Sequence, residues 1–302
     1  MKGMKIISPG GIELEINEKG YVVDREKFDW FYLDKSDADV EWECDVKHLL
    51  VKERRVWGVE VEMGGSSKEV RAETVVLACG PNSHLPDEAR LSPIKHPSDI
   101  AWAMEAVVEG DGIGESDYFE YFVGSVAPGW KATFSPLGGD FASAGVYVRG
   151  VRSPFDFFSR HMERLRKAKG EIKIVEMFEG GDTIAAMPWK LVGNGVAVCG
   201  GAGAQSGIMY GMRAGVILAE SIAHGDLSLY QKRWERELMR EYKLGRKALN
   251  MLMKMKDEDI DRLAHALVDF DFSSLRGNLY LKAFRIFMHI LKKDPPLILR
   301  LI

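Results

Sequence analysis

The sequence lacks the features that mark the commonest protein chemistries. Its three cysteines, Cys44, Cys79 and Cys199, are odd in number and widely separated. With no Cys-x-x-Cys spacing and no histidine at ligand spacing, neither a disulfide framework nor a zinc site is expected. The seven histidines are scattered; none sits in a His-Glu-x-x-His arrangement, and no metal is expected from them. Gly-x-Ser-x-Gly is absent, which removes the usual serine-hydrolase turn. Positive charge is not in excess: 41 Lys and Arg against 45 Asp and Glu leave a net charge of −4, without the basic footprint of a nucleic-acid binder. Membrane and secretion signals are missing too. Met1-Lys-Gly-Met-Lys-Ile-Ile-Ser-Pro9 lacks a signal peptide's apolar stretch, and the long uncharged run Leu191–Met212 is interrupted by seven glycines. A cytoplasmic protein is expected.

What remains is a chain of 302 residues, 46% apolar, enough for two lobes. Its most informative stretch is the same glycine-rich run. Leu191–Ile222 reads as a strand, a glycine turn after Val198 and a helix, with Gly207, Gly211, Gly215 and Ala219 on one helical face. A helix that begins in a glycine turn aims unpaired N–H groups at an anion, and a face without side chains admits a strand or a flat cofactor. Tight helix packing is the structural alternative. A second turn, Cys79-Gly-Pro-Asn82, follows Val70–Leu77, which reads as one strand, buried at its apolar end Val75–Ala78.

Elsewhere, Lys5–Ile16 around Pro9-Gly-Gly11 predicts a hairpin, and Asp24 is placed to cap a short helix carrying Phe28, Phe31 and Tyr32. Val46–Val61 around Lys52–Arg55 predicts another hairpin. Ala101–Glu109, Tyr118–Val123, Trp130–Phe134 and Phe141–Val148, with a helix over Phe155–Lys169, predict a mostly antiparallel sheet covered on one face. Ser228–Met255 reads as one long helix. Leu279–Ile302 mixes Phe284, Phe287 and Ile290 with Lys282, Arg285, Lys292 and Lys293, a pattern that suits an anionic membrane surface or docking on the protein itself.

Several of these segments, taken in order, resemble the geranylgeranyl reductase family, flavoproteins of the p-hydroxybenzoate hydroxylase-like class. Tyr21-Val-Val-Asp-Arg-Glu-Lys-Phe-Asp29 is similar to that family's Tyr-Val-Val-Asp-Arg-x-x-Phe-Asp segment, and the resemblance puts Arg25 near the flavin. Gly207-Ile208-Met-Tyr-Gly-Met-Arg-Ala-Gly215 is similar to its Gly-Ile-x-x-Ala-Met-x-Ser-Gly pattern. Cys79, Gly80, Pro81, Gly200, Gly201, Gly203, Gly207 and Ile208 are then the implied FAD-binding residues. The match departs at two points: Cys79 and Gly200 stand where the family has aspartates. A degraded copy of the substrate-cavity motif, Trp130, Phe134 and Gly145, is implied to line a tunnel for an isoprenoid lipid.

The family's opening Gly-x-Gly-x-x-Gly fingerprint has no counterpart near Met1. The expected fold is therefore α/β (α+β): an incomplete FAD-binding doubly wound lobe, a mostly antiparallel β-sheet substrate lobe and a C-terminal helical region. The expected divisions are 1–91, 92–190, 191–225 and 226–302. A misplaced start codon or frameshift, a split protein with a separate FAD-binding subunit, and a degenerate paralogue all account for the missing half. The implied activity is flavin-dependent reduction of carbon–carbon double bonds in an isoprenoid lipid. The alternatives are a non-catalytic lipid-binding or regulatory paralogue that has lost FAD, and another FAD-dependent dehydrogenase or monooxygenase-like enzyme. No proton donor is identified.

Overall fold

Pro9-Gly10-Gly11 turns β1 (Gly3–Ile7) back onto β2 (Glu13–Ile16) in a computed structural model that describes residues 1–301. Asp24 caps α1 (Arg25–Asp34), accepting the Lys27 N–H at 3.1 Å, yet α1 buries no side chain: Phe31 and Tyr32 stay exposed. β3 (Cys44–Lys52), β4 (Arg55–Met63) and β5 (Ser66–Arg71) form an antiparallel sheet, and β6 (Val75–Leu77) leaves it. The single strand expected over Val70–Leu77 is thus two strands. The chain changes partner between them: Ala72 N–H bonds Trp57 O, whereas Val75 N–H bonds Gly195 O. Nor is β6 buried on both faces, since Val76 is 42% exposed. After a four-residue helix α2 (Leu85–Glu88) come β7 (Ala101–Glu109), β8 (Tyr118–Phe122), β9 (Lys131–Gly138), β10 (Phe141–Arg149), α3 (Phe155–Lys169) and β11 (Lys173–Asp182).

These strands build a seven-stranded sheet in the order β11-β7-β10-β9-β8-β1-β2, antiparallel in every described pair except β1 with β8. Side chains alternate between its faces. Ala106, Ala132, Phe134, Ala144 and Val146 point to the side where α3 lays Phe158, Met162 and Leu165, and this is one core.

The glycine-rich run follows as β12 (Val192–Gly193), β13 (Val196–Val198), a 3-10 turn at Gly200–Gly203 and α4 (Ile208–Ala223). The long helix expected over Ser228–Met255 is broken into α5 (Ser228–Glu237) and α6 (Met239–Lys254). Leu238 at the break has φ −126° while its side chain is only 2% exposed. Leu238 and the next residue, Met239, are buried in the same core. α7 (Asp257–Leu267), α8 (Leu279–Lys293) and α9 (Pro295–Leu301) complete the chain. Asp261 of α7 accepts hydrogen bonds from Ser8 Oγ at 2.6 Å and Gly10 N–H at 2.7 Å, tying the first hairpin's turn to the helix. α8 exposes Leu279, Leu281 and Phe284, and no described helix is long and apolar enough to cross a membrane.

The chain divides into two compact units. One comprises Met1–Val22, Ile100–Gly181 and the chain from Gly245 onward; the other comprises Val23–Asp99 and Asp182–Leu244. The first 22 residues therefore group with the large sheet, not with the glycine turns as the 1–91 division anticipates, because β1 pairs with β8. The C-terminal helices divide within α6 instead of forming one region.

Candidate functional site

Two short parallel strands set the site. β13 pairs with β6 in the register Val196↔Val75, Ala197↔Val76, Val198↔Leu77, so both strands end at the same level. The Cys199 N–H then bonds the Leu77 carbonyl at 2.9 Å, and a Cβ built on Gly201 would lie 3.1 Å from Pro81 Cδ. The turns Cys79-Gly80-Pro81 and Gly200–Gly203 are thereby side by side at the carboxyl ends of adjacent strands, where open α/β sheets bind ligands. Gly80 and Gly200 hold φ +76° and +64°, the left-handed region that favours glycine.

The loop between turn and helix is braced from inside. Gln205 is fully buried; its Oε1 accepts the Gly200 N–H at 3.1 Å and the Tyr230 hydroxyl at 2.9 Å. Thr183 Oγ1 donates to the Gly201 carbonyl at 3.0 Å and lies 3.1 Å from Ser206 Oγ. Gln205 Nε2 is buried with no hydrogen-bond partner among the described residues. Leaving such a donor unsatisfied costs about 1–3 kcal/mol, which makes it a mark of a missing partner.

Gly207 starts α4 with φ +88°, ψ 155° and no side-chain cap. The first bond back along the helix is Gly211 N–H to Gly207 O, so the amides of Ile208, Met209 and Tyr210 precede the hydrogen-bonded ladder. Tight helix packing, the alternative reading of the small-residue face, is not what the structure contains. A Cβ on Gly207 or Gly215 meets nothing within 4 Å, and one on Gly211 meets only the Gln205 carbonyl at 3.9 Å. Within the described residues this face is open.

The two thiols at the strand ends differ. Cys199 is buried, 3.9 Å from the Gly211 carbonyl oxygen, and burial pushes its thiol pKa up, partly offset by the Tyr230 hydroxyl and the Gly200 amide. It stays protonated, a packing residue. Cys79 is exposed. A thiol reagent applied to the native chain is expected to label Cys79 first and Cys199 last, read by mass spectrometry of timed aliquots; Cys199 reacting ahead of Cys79 would contradict this geometry.

Arg25 sits in the first turn of α1 and is paired with Asp29 of the same helix at 3.0 Å. Trp130, Phe134 and Gly145 do not share a sheet face. Phe134 pairs with Ala144 and is wholly buried beneath α3, whereas Gly145 pairs with Thr133 and points the other way. Phe134 is core, not a tunnel wall. Trp130 precedes β9.

The face opposite α3 carries groups that motif reading missed. Glu105 accepts hydrogen bonds from Ser143 Oγ and from Tyr147 Oη, the latter at 2.8 Å. Lys131 Nζ lies 4.0 Å from the Tyr121 ring centroid and 5.5 Å from that of Trp130, a cation–π arrangement. Strand alternation through Lys131, Thr133 and Ser135 was the available signal. Two clefts in the unit of the glycine turns, about 700 and 560 Å³, lie elsewhere, beside Arg55 and Arg71 and beside Arg54 and Lys190 respectively.

No protein-family model matches the chain. It is 30% identical over 308 residues to the digeranylgeranylglycerophospholipid reductase of Methanosarcina acetivorans, covering 91% of this chain and 75% of that protein. Its structure is similar to a geranylgeranyl bacteriochlorophyll reductase-like protein from Thermoplasma acidophilum, with TM-score 0.83 and 21% identity over 99% of this chain and 81% of the other. A flavoprotein/dehydrogenase from Cytophaga hutchinsonii superimposes with TM-score 0.63 and 15% identity, over 97% and 77% of the two chains. At these identities the two structures report the fold.

Proposed function

Because the chain belongs to the digeranylgeranylglycerophospholipid reductase family, we propose that it is a flavin-dependent oxidoreductase acting on carbon–carbon double bonds of an isoprenoid lipid of archaeal type. The observation that carries this reading is the pair of glycine turns at the ends of β6 and β13 beside an uncapped helix with a bare face. A flat, anionic ring system suits that cradle: Cβ positions at Gly80, Gly200 and Gly207 are open, the α4 amides are donors, and the Gln205 amide lacks a partner. Gly80, Pro81, Gly200, Gly201, Gly203, Gly207 and Ile208 would hold the flavin largely through backbone. Reduced flavin, when bound, supplies hydride for alkene reduction.

The chain's own part is to position the ring with fixed amides and to shield it with apolar Ile208 and Met209, both exposed here. Its hold is weakened where Gly200 replaces a carboxylate, forfeiting a charged hydrogen bond worth about 1.5–3 kcal/mol; a second carboxylate is replaced at Cys79. We assign the adenine end of the dinucleotide to a further segment, in cis or in trans, at the open edge of β6 in the order β12-β13-β6. That edge offers unpaired backbone groups to another strand.

Titration with FAD, followed through the flavin's visible bands, tests the reading. Saturable binding, and reoxidation of the reduced complex by a geranylgeranyl lipid, are expected. The lost carboxylates favour a second reading, a lipid carrier without flavin. Lipid binding with no FAD binding, even after a dinucleotide-binding segment is supplied in trans, would establish the carrier and end the proposal.

A further inference from the structure

Outside the glycine turns, the fold brings His48 to two side chains of metal-ligating type, His84 and Glu88, that lie far from it in sequence. His48 is on β3, His84 immediately precedes α2, and Glu88 closes α2; one ligand atom from each lies within 4.8 Å of the other two. His48 Nδ1 is 3.6 Å and His84 Nε2 is 4.0 Å from Glu88 Oε2. The carboxylate is oriented by the backbone: its Oε1 accepts the Leu49 N–H at 3.0 Å, which leaves Oε2 for the histidines. The His84 ring is oriented as well, with Nε2 2.8 Å from the Lys47 carbonyl. The Glu88 carboxylate, held by the Leu49 amide, has the outer hydrogen bond that ligands of built metal sites carry.

We propose that His48, His84 and Glu88 form a three-ligand site for a divalent transition-metal ion of the zinc class. Two imidazoles and one carboxylate are the donors such ions prefer, and the exposed setting leaves the remaining coordination positions to water. Binding exchanges the hydrogen bond that His84 Nε2–H donates to the Lys47 carbonyl for a bond to the metal, the neutral ring keeping its proton on Nδ1 instead. The ion clamps β3 to α2. His84 follows Pro81 by three residues, so the clamp steadies the segment that carries the first glycine turn.

The test is titration of the tag-free full chain with zinc, by calorimetry and by competition with a chelating dye, and with cobalt for its visible spectrum. One ion per chain is expected, with a cobalt spectrum free of thiolate charge-transfer absorption. His48→Ala and Glu88→Gln should each weaken binding roughly ten- to a hundredfold, while Cys44→Ser and Cys79→Ser leave it unchanged. Glu88→Gln retains the acceptor for Leu49, and His48 is exposed on its strand, so both variants keep the fold, which circular dichroism checks. Absence of saturable binding, survival of binding in both variants, or a thiolate band would each overturn the site. FAD binding is read separately.

Discussion

Exchanging Gly211 for leucine is expected to leave this chain at least as stable as before and to cut flavin affinity roughly ten- to a hundredfold, since overfilling a tight contact costs about 1–3 kcal/mol. The two effects have opposite signs because they arise from different places. Glycine inside a helix costs about 0.8–1 kcal/mol relative to a good helix former. The space around the Gly211 Cβ position is open, with only the Gln205 carbonyl at 3.9 Å, so a Cβ there meets no strain. A residue there for packing would lose stability on enlargement. A residue there to admit a flat ligand loses the ligand instead. Urea midpoints and FAD titrations of the two proteins separate these cases, and unchanged flavin affinity in the variant would remove α4 from the cofactor's contact surface.

Acid is expected to destabilise the sheet unit by about 3 kcal/mol between pH 6.5 and pH 4 through His161 alone. This histidine lies on the buried face of α3 with no exposed surface, and its ring meets Phe122 edge-on, with centroids 5.0 Å apart. Nε2 is 3.1 Å from the Thr133 carbonyl, whereas Nδ1 is buried without a partner among the described residues. The neutral ring with its proton on Nε2 satisfies that arrangement; a second proton finds no acceptor. Burial, reinforced by Arg164 and opposed by the Thr133 bond, holds the pKa down at about 4 against an ordinary value of 6.5. Between those values the unfolded chain binds a proton that the folded chain refuses. Stability is therefore full above pH 6.5, falls as pH drops through the window, and stops falling on this account below pH 4. Asp261, held below the usual carboxylate value by Ser8 and the Gly10 amide, acts further down the scale. Denaturation of His161→Gln should show a flatter dependence across the window; the same slope in variant and parent would discard the assignment.

How much of the fold was legible depended on where each element sits. α3 has the expected ends, Phe155 and Lys169, because Pro154 precedes it and Gly170 follows at φ +90°. β7 over Ala101–Glu109 was equally clear. β11 left no signal: most of it is exposed, so no buried face imposes alternation on its residues. The breaks after Arg71 and at Leu238 were invisible for a related reason. Each depends on what a residue meets far along the chain, Gly195 in one case and a shared core in the other.

The candidate site divides along the same line. Gly80, Gly200 and Gly207 could be found from sequence because each backbone conformation there asks for glycine locally. Thr183, Gln205 and Tyr230 could not be assigned to the loop, since only folding brings their polar atoms to it. Phe134 and Gly145 were grouped by motif spacing, and the β9–β10 register put them on opposite faces. His48 and Glu88 are 40 positions apart, too far for any ligand spacing to suggest them. Local backbone demands, apolar alternation and family membership were thus determined by the amino-acid order itself. Which strands lie together, which face a side chain takes and which distant polar groups meet were decided by the tertiary structure, because those follow from pairing register and shared burial between segments with no local trace of each other.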